Sequence, residues 1–112
     1  CLQYFILNIY RETEAKKAVI PVCPVIESIR KVEGDSSEAL DRRQYYSVQT
    51  PQCFSSEILH KAYQQKEQAT FTDDASVMEN LGEKVHLFEG EDDNIKITSP
   101  KDLLMAKAIL NQ

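Results

Sequence analysis

Hydroxyl-bearing and cationic side chains recur where predicted strands and helices meet. Hydroxyl, ammonium and guanidinium groups all donate hydrogen bonds to anions, and a guanidinium can hold a phosphate through two parallel bonds. In α/β proteins, binding residues collect at boundaries that follow the carboxyl ends of parallel strands. The pattern predicts a phosphate-binding site, and its candidate residues are Ser28, Arg42, Thr50, Thr72 and Lys96.

The stretch around Lys96 carries the strongest local signal. Residues 94–98, Asn-Ile-Lys-Ile-Thr, alternate between polar and apolar, which predicts a half-buried strand. Ser99 is a good helix N-cap, Pro100 suits the first helical position, and Asp102 faces the positive end of the helix dipole. A strand that runs into a helix N-terminus is a common place for anionic ligands, so Lys96 is predicted to hold a phosphate. The alternative is a lysine on a solvated strand face.

Other polar residues also have ordinary explanations. Thr72 could cap a helix, and Arg42 could pair with a neighbouring acidic residue. The acidic pairs at residues 73–74 and 92–93 could bind a divalent cation, but helix-start electrostatics and turn propensity explain them adequately. His60 and His86 are isolated and are interpreted as structural. No Walker loop or Rossmann glycine fingerprint is present, so residue chemistry alone leaves the site open.

Strands and helices alternate along the chain, with one inserted hairpin. Helices are predicted over residues 2–16, from residue 55 or 56, from residue 72 or 73 to the glycine at 82, and over residues 100–111. The last of them is predicted to bury a stripe made by Leu103, Leu104, Ala108 and Leu110. Strands are predicted over residues 18–25, 46–49, 84–88 and 94–98, and residues 29–40 form a polar hairpin. This order indicates the α/β class with a largely parallel sheet. A polar hairpin is marginal alone, so we expect it to project and to pack on a second subunit.

Composition limits the functional classes. The chain has 112 residues and a net charge of −5, so it can form one modest domain, and no basic stripe suggests nucleic-acid binding. It contains no apolar run long enough to span a membrane, and its three cysteines lack metal-binding spacing, which favours a reducing, cytoplasmic setting. The first residue is Cys1, which suggests a fragment, a processed chain or a sequence that lacks its front half.

Four motifs in register resemble the C-terminal half of the 2-C-methyl-D-erythritol 4-phosphate cytidylyltransferase family. They are Val-Gln-Thr-Pro-Gln-Cys-Phe at residues 48–54, Thr-Asp-Asp-Ala-Ser at 72–76, Asn-Ile-Lys-Ile-Thr at 94–98 and Pro-Lys-Asp-Leu at 100–103. Residues 24–30 resemble the Bacteroidetes-like branch, although many relatives have Asp-Thr where Glu27 and Ser28 stand.

The resemblance implies a Rossmann-like nucleotidyltransferase fold and transfer of a cytidylyl group from CTP to the sugar phosphate, with Mg²⁺ and release of pyrophosphate. It implies that Arg42 and Lys96 position the sugar phosphate for attack, and that Thr50, Thr72 and Ser28 help to bind it. The hairpin would be the arm of a homodimer.

The family's Gly-rich phosphate loop and a metal-binding Asp do not occur in this sequence, so the chain alone is expected to be inactive, with Mg²⁺ ligands mostly elsewhere. A ribitol 5-phosphate cytidylyltransferase and a non-catalytic interaction domain remain as alternatives.

Overall fold

The computed structural model describes residues 2–65 and 73–111 of the chain. Its helices are α1 (Leu2–Lys16), α2 (Ser56–Ala62), α3 (Asp74–Asn80) and α4 (Pro100–Leu110), and a short 3-10 turn spans Arg42–Gln44. Its strands are β1 (Ala18–Pro24), β2 (Ile29–Glu33), β3 (Ser36–Leu40), β4 (Tyr46–Val48), β5 (Cys53–Phe54) and β6 (His86–Glu89).

Strand β1 is the centre of the main sheet. One edge of β1 pairs antiparallel with β5 at its start and with β4 at its end, while the other edge pairs parallel with β6. Pro21 lies between the two antiparallel pairings, which end at Val19 and begin again at Val22. Its missing N–H therefore falls at a gap in the ladder, which explains a proline inside a buried strand. The α/β class is confirmed, and the described part of the sheet is mixed.

Helices pack on both faces of β1, because its side chains alternate between two small cores. On one side, α1 contributes Ile9 and Phe5, and the Phe5 ring lies 5.8 Å from that of Phe88. On the other side, Met78 of α3 packs against Ala18 and against Ala62 of α2. Burial of these aliphatic and aromatic groups is the main favourable term that holds the layers together.

The hairpin forms as predicted and stands apart from the main sheet. Strands β2 and β3 make their own two-stranded antiparallel sheet, from Ile29 opposite Leu40 to Glu33 opposite Ser36. Gly34 occupies the left-handed region in its turn, with a φ of 58°. The radius of gyration of the chain is 16.3 Å. A compact domain of this length would have about 13 Å, so the shape is extended.

Two local predictions are wrong. Residues 94–98 form no strand, because no neighbouring strand pairs with them among the described residues. The predicted buried stripe of α4 is also exposed: Leu104 has 67% and Leu110 83% of its surface accessible. No helix in the described part of the chain is long and apolar enough to cross a membrane.

The C-terminal helix nevertheless begins where its sequence signals place it. Ser99 is the N-cap and Pro100 the first helical residue, and Ser99 and Asp102 form a reciprocal capping box. Helix α3 is capped in the same way by Asp73 and Ser76. Local capping chemistry therefore sets the start of both helices, whether or not an apolar face is covered.

Candidate functional site

Lys96 and Thr50, two of the predicted binding residues, line the same cleft. The cleft has a volume of about 340 Å³ and lies beyond the end of β4. Lys96 is exposed and makes no ion pair with any described residue, so its ammonium group remains available to an anion. The cleft is lined by Val48, Gln49, Thr50, Gln52, Asp73, Asn94 and Lys96.

The central strand positions the Thr50 side of the cleft. Strand β4 pairs with β1 up to Val48, and the backbone N–H of Gln49 then donates to the Pro21 carbonyl over 2.9 Å. Thr50 follows at once and precedes Pro51 through a cis peptide bond. Thr50 is thus attached to the most deeply buried strand of the fold, which gives its side of the cleft a firm base.

The segment that bears Lys96 is attached to this base through side chains. Asn94 Nδ2 donates to the Thr50 carbonyl over 2.6 Å. Gln49 Nε2 donates to the Glu91 carbonyl over 2.7 Å, and Glu91 N donates back to Gln49 Oε1 over 3.2 Å. The side-chain amide of Gln49 thus donates one hydrogen bond to the Glu91 backbone and accepts another from it, as the backbone of a paired strand would. Residues 94–98, which follow, form no strand.

Asp73 is the carboxylate of the described cleft, and its oxygens already have donors. Its Oδ1 accepts from the Ser76 backbone N–H over 2.9 Å, and its Oδ2 faces Gln52 Nε2 at 3.4 Å. Mg²⁺ prefers six oxygen ligands in octahedral geometry. Among residues 2–65 and 73–111, no group of three histidine, cysteine or carboxylate side chains could hold a metal ion. These residues by themselves therefore do not fit a Mg²⁺ site.

Ser28 and Arg42 lie at the base of the hairpin and do not line the Lys96 cleft. Ser28 is exposed and immediately precedes β2, while Arg42 opens the turn that follows β3. The Arg42 Nη1 atom donates to the Ile26 carbonyl over 2.6 Å, which ties the two ends of the hairpin together. The predicted ion pair of the alternative interpretation forms instead between Asp41 and Arg43, at 2.9 Å. Thr72 lies outside the described residues.

Two titratable groups near the cleft have shifted pKa values. Burial, and then the negative charges of Asp92, Glu89 and Glu91, raise the pKa of the Cys23 thiol. Hydrogen bonds from the backbone and side chain of Thr98 lower the pKa of Asp102.

A larger cleft, of about 630 Å³, lies between α1 and the start of α2. Its charged side chains are Lys17, Glu14 and Asp74. None of the predicted phosphate-binding residues lines it. The Lys96 cleft is the better candidate because two of the predicted phosphate-binding residues, Thr50 and Lys96, line it together, whatever the difference in volume.

Sequence reasoning missed Gln49, Gln52 and Asn94 as residues of the cleft. Asn94 had a signal, because the alternation of residues 94–98 placed it on the same face as Lys96. Gln49 had none, since its partner Glu91 lies 42 residues away in the sequence.

The sequence profile described as 2-C-methyl-D-erythritol 4-phosphate cytidylyltransferase (IspD) matches residues 3–112. The chain belongs to this family. It is 46% identical to the Bacteroides fragilis 2-C-methyl-D-erythritol 4-phosphate cytidylyltransferase over 96% of the chain and 49% of that protein. With the Bacteroides thetaiotaomicron protein of the same name it shares 50% identity, over 90% of the chain and 46% of the relative.

Solved structures of the family have the same fold. The 2-C-methyl-D-erythritol 4-phosphate cytidylyltransferase from Thermus thermophilus superposes with a TM-score of 0.80 at 31% identity, over 96% of this chain and 54% of that one. A 4-diphosphocytidyl-2C-methyl-D-erythritol synthase from Anaerococcus prevotii gives a TM-score of 0.82 at 28% identity, over 96% and 52%. The family resemblance predicted from the four motifs is confirmed, and the fold is that of Rossmann-like nucleotidyltransferases. The chain spans about half the length of the curated relatives it matches.

Proposed function

We propose that this chain is the C-terminal portion of a cytidylyltransferase domain that transfers a cytidylyl group from CTP to 2-C-methyl-D-erythritol 4-phosphate. The product would enter isoprenoid precursor synthesis by the non-mevalonate route, in the cytoplasm. The observation that carries this proposal is that Lys96 and Thr50 line the same cleft, with no ion-pair partner of Lys96 among the described residues. Membership of the family supports the reaction class.

The chemistry asked of this chain is binding and orientation. An oxygen of the sugar phosphate attacks the α-phosphorus of CTP, a new P–O bond forms, and the bond to the departing pyrophosphate breaks. Lys96 would hold the attacking phosphate, and the Thr50 hydroxyl would donate a second hydrogen bond. Mg²⁺, bound mainly by the triphosphate and by residues outside this chain, would neutralise charge on CTP. Catalysis of this kind depends on positioning and on charge stabilisation.

The exposure of Lys96 sets the range expected for the electrostatic attraction between its ammonium group and a phosphate. Two unit charges 4 Å apart attract by about 1 kcal/mol in water and about 4 kcal/mol at a protein surface with an effective dielectric constant near 20. Each 1.4 kcal/mol corresponds to a tenfold change, so loss of the ammonium group should lower kcat/KM by roughly 5- to 1,000-fold.

The test is steady-state kinetics on the full-length enzyme with Lys96→Ala. We expect kcat/KM for the sugar phosphate to fall within that range, while KM for CTP changes little. Lys107→Ala, which removes an exposed cation from the last turn of α4, is the matched control and should behave as wild type. Wild-type kinetics in Lys96→Ala would contradict the site. Turnover by the isolated 112-residue chain would contradict the assignment of CTP binding to another part of the protein.

The hairpin β2–β3 would bring the second half of the site from a partner subunit. Its base carries Ser28 and Arg42, the two predicted binding residues that do not line the cleft of their own chain. An arm exchanged within a symmetric homodimer would carry both residues into the partner's cleft. Arg42 would then contact the phosphate held by Lys96, and Thr72 would complete the donor set.

Subunit mixing tests this arrangement directly. Arg42→Ala and Lys96→Ala subunits are each expected to have strongly reduced activity alone. When the two are mixed and allowed to exchange, half of the dimers are mixed, and one of the two sites in each has both cations, so about one quarter of wild-type activity should return. If both cations act within one chain, no mixed dimer has an intact site and activity stays at the level of the single variants.

The sugar phosphate that accepts the cytidylyl group could be either of two compounds. Assays with 2-C-methyl-D-erythritol 4-phosphate and with ribitol 5-phosphate on the same enzyme preparation separate the two. A higher kcat/KM for ribitol 5-phosphate would replace the proposed substrate and would leave the phosphate site unchanged.

A further inference from the structure

The segment that carries Lys96 has an unusual mode of attachment. Among the described residues, no strand pairs with residues 94–98. The Ile95 backbone N–H donates instead to the Asp93 carbonyl, over 3.1 Å, within the preceding turn. Ile97, predicted to face a core, is 55% exposed. Within the described residues, no ladder of backbone bonds fixes the position of Lys96, and its neighbour Ile95 is only partly buried, so side-chain contacts are needed to hold the segment.

Side-chain hydrogen bonds hold the segment at its amino end. The Asn94 amide donates to the Thr50 carbonyl over 2.6 Å, only two residues before Lys96. Gln49 holds the preceding turn through its two bonds to the Glu91 backbone, at 2.7 and 3.2 Å. This end of the segment is thus joined to the extension of β4, which belongs to the main sheet.

A second set holds the carboxyl end. Asp102 Oδ2 accepts from the Thr98 backbone N–H over 3.0 Å and from the Thr98 hydroxyl over 2.9 Å, two residues after Lys96. It also accepts from the Ser99 backbone N–H over 3.1 Å. A charged acceptor with three donors makes stronger bonds than a neutral pair. This end is thus joined to the first turn of α4.

We propose that Asn94 is a positioning residue that holds Lys96 in the cleft, and that Asp102 restricts the same segment locally by fixing Thr98 on the first turn of α4. Two residues of chain span at most about 7 Å, so either anchor restricts the Lys96 backbone closely, whereas release of one leaves that side free to move. A displacement of about 1 Å at a reacting group can cost as much as 100-fold in rate. This inference rests on the proposed role of Lys96 in binding the sugar phosphate.

Kinetics of the full-length enzyme give the first test. Asn94→Ala should raise KM for the sugar phosphate about tenfold and leave KM for CTP unchanged, because the anchor acts through Lys96. Thr98→Val, which removes the hydroxyl donor to Asp102, should act in the same direction, and Thr98→Ser should restore the wild-type value. Asn80→Ala is the matched control, since that amide donates to Gln65 Oε1, away from the cleft. Wild-type KM values in Asn94→Ala and Thr98→Val would overturn the proposal.

Chemical reactivity of Lys96 gives a second test that does not need turnover. The rate of acylation of Lys96, followed by peptide mass spectrometry, should fall when inorganic phosphate is added to the wild-type enzyme. In Asn94→Ala the same protection should need about tenfold more phosphate. Equal protection in both enzymes would overturn the positioning role and leave the proposed function standing. Absence of protection in the wild type, together with full activity of Lys96→Ala, would overturn the proposed function and this inference with it.

Discussion

Gly90 is the position at which a single added methyl group should disturb the cleft most. A Cβ atom there would lie 2.9 Å from the Val22 carbonyl oxygen and 3.0 Å from Cys23 Sγ, and it would collide with Gln49 Oε1. The Gly90 backbone N–H already donates to that Val22 carbonyl over 2.8 Å. The backbone cannot retreat without loss of this bond, and Gln49 cannot retreat without release of Glu91.

The cost of Gly90→Ala can be estimated from these contacts. Overpacking by one methyl group in a closed site costs about 1–3 kcal/mol. Lower entropy of the unfolded chain returns about 0.4–1 kcal/mol on replacement of glycine by alanine. The expected net loss in the free energy of unfolding is therefore between about 0 and 2.6 kcal/mol, with a midpoint of about 1.3 kcal/mol, and the Lys96 segment should be displaced because Gln49 is pushed from its partner.

Urea unfolding of the full-length enzyme measures the loss. The matched experiment is the double variant Gln49→Ala, Gly90→Ala, in which the colliding amide is absent. If the collision is real, Gly90→Ala costs less in the Gln49→Ala background than alone, and the double-mutant cycle gives a coupling energy above about 0.5 kcal/mol. A Gly90→Ala enzyme as stable as wild type, with additive effects in the cycle, would refute the account of how the two segments meet.

The stability of the protein should depend on pH through hydrogen bonds to two carboxylates, Asp74 and Asp102. The Tyr63 hydroxyl donates to the Asp74 carboxylate, which raises the pKa of Tyr63, so Asp74→Asn should lower that pKa toward about 10 in an NMR titration of the ring. The stabilisation from this bond should be complete below about pH 10 and lost as the pH rises through the native pKa. Bonds from Thr98 lower the pKa of Asp102, so its contribution should be complete above about pH 4 and lost as the pH falls through the native value. The first amides of α4 should lose protection against hydrogen exchange, relative to their intrinsic exchange rates, below about pH 4 in the wild type and show no such pH-dependent loss in Asp102→Asn. The same pH dependence of protection in both proteins would contradict the prediction.

Local chemistry predicted much of the fold. Cap residues such as Ser99 and Asp73 marked helix starts, the turn at Gly34 marked the hairpin, and the β-branched run from residue 18 marked the central strand. These signals depend on neighbours within a few residues, so the sequence alone contains them. The phosphate-site pattern likewise brought Thr50 and Lys96 into one prediction, and the structure places both in one cleft.

Predictions that depend on distant neighbours failed. Ile95 and Ile97 alternate as a strand does, but a strand also needs a partner for its backbone groups, and none pairs with them in the described part of the chain. Leu104 has helical spacing for a buried face and yet is exposed, because no described element covers α4. The chain spans only about half the length of its curated relatives, so residues elsewhere in such a protein could cover these faces.

A crystal structure of the full-length enzyme with the acceptor sugar phosphate would show whether Lys96 binds that phosphate. We expect a phosphate oxygen within about 3 Å of Lys96 Nζ, with the Arg42 guanidinium of the partner subunit on the same phosphate. A phosphate bound elsewhere, with the Lys96 side chain in solvent, would contradict it.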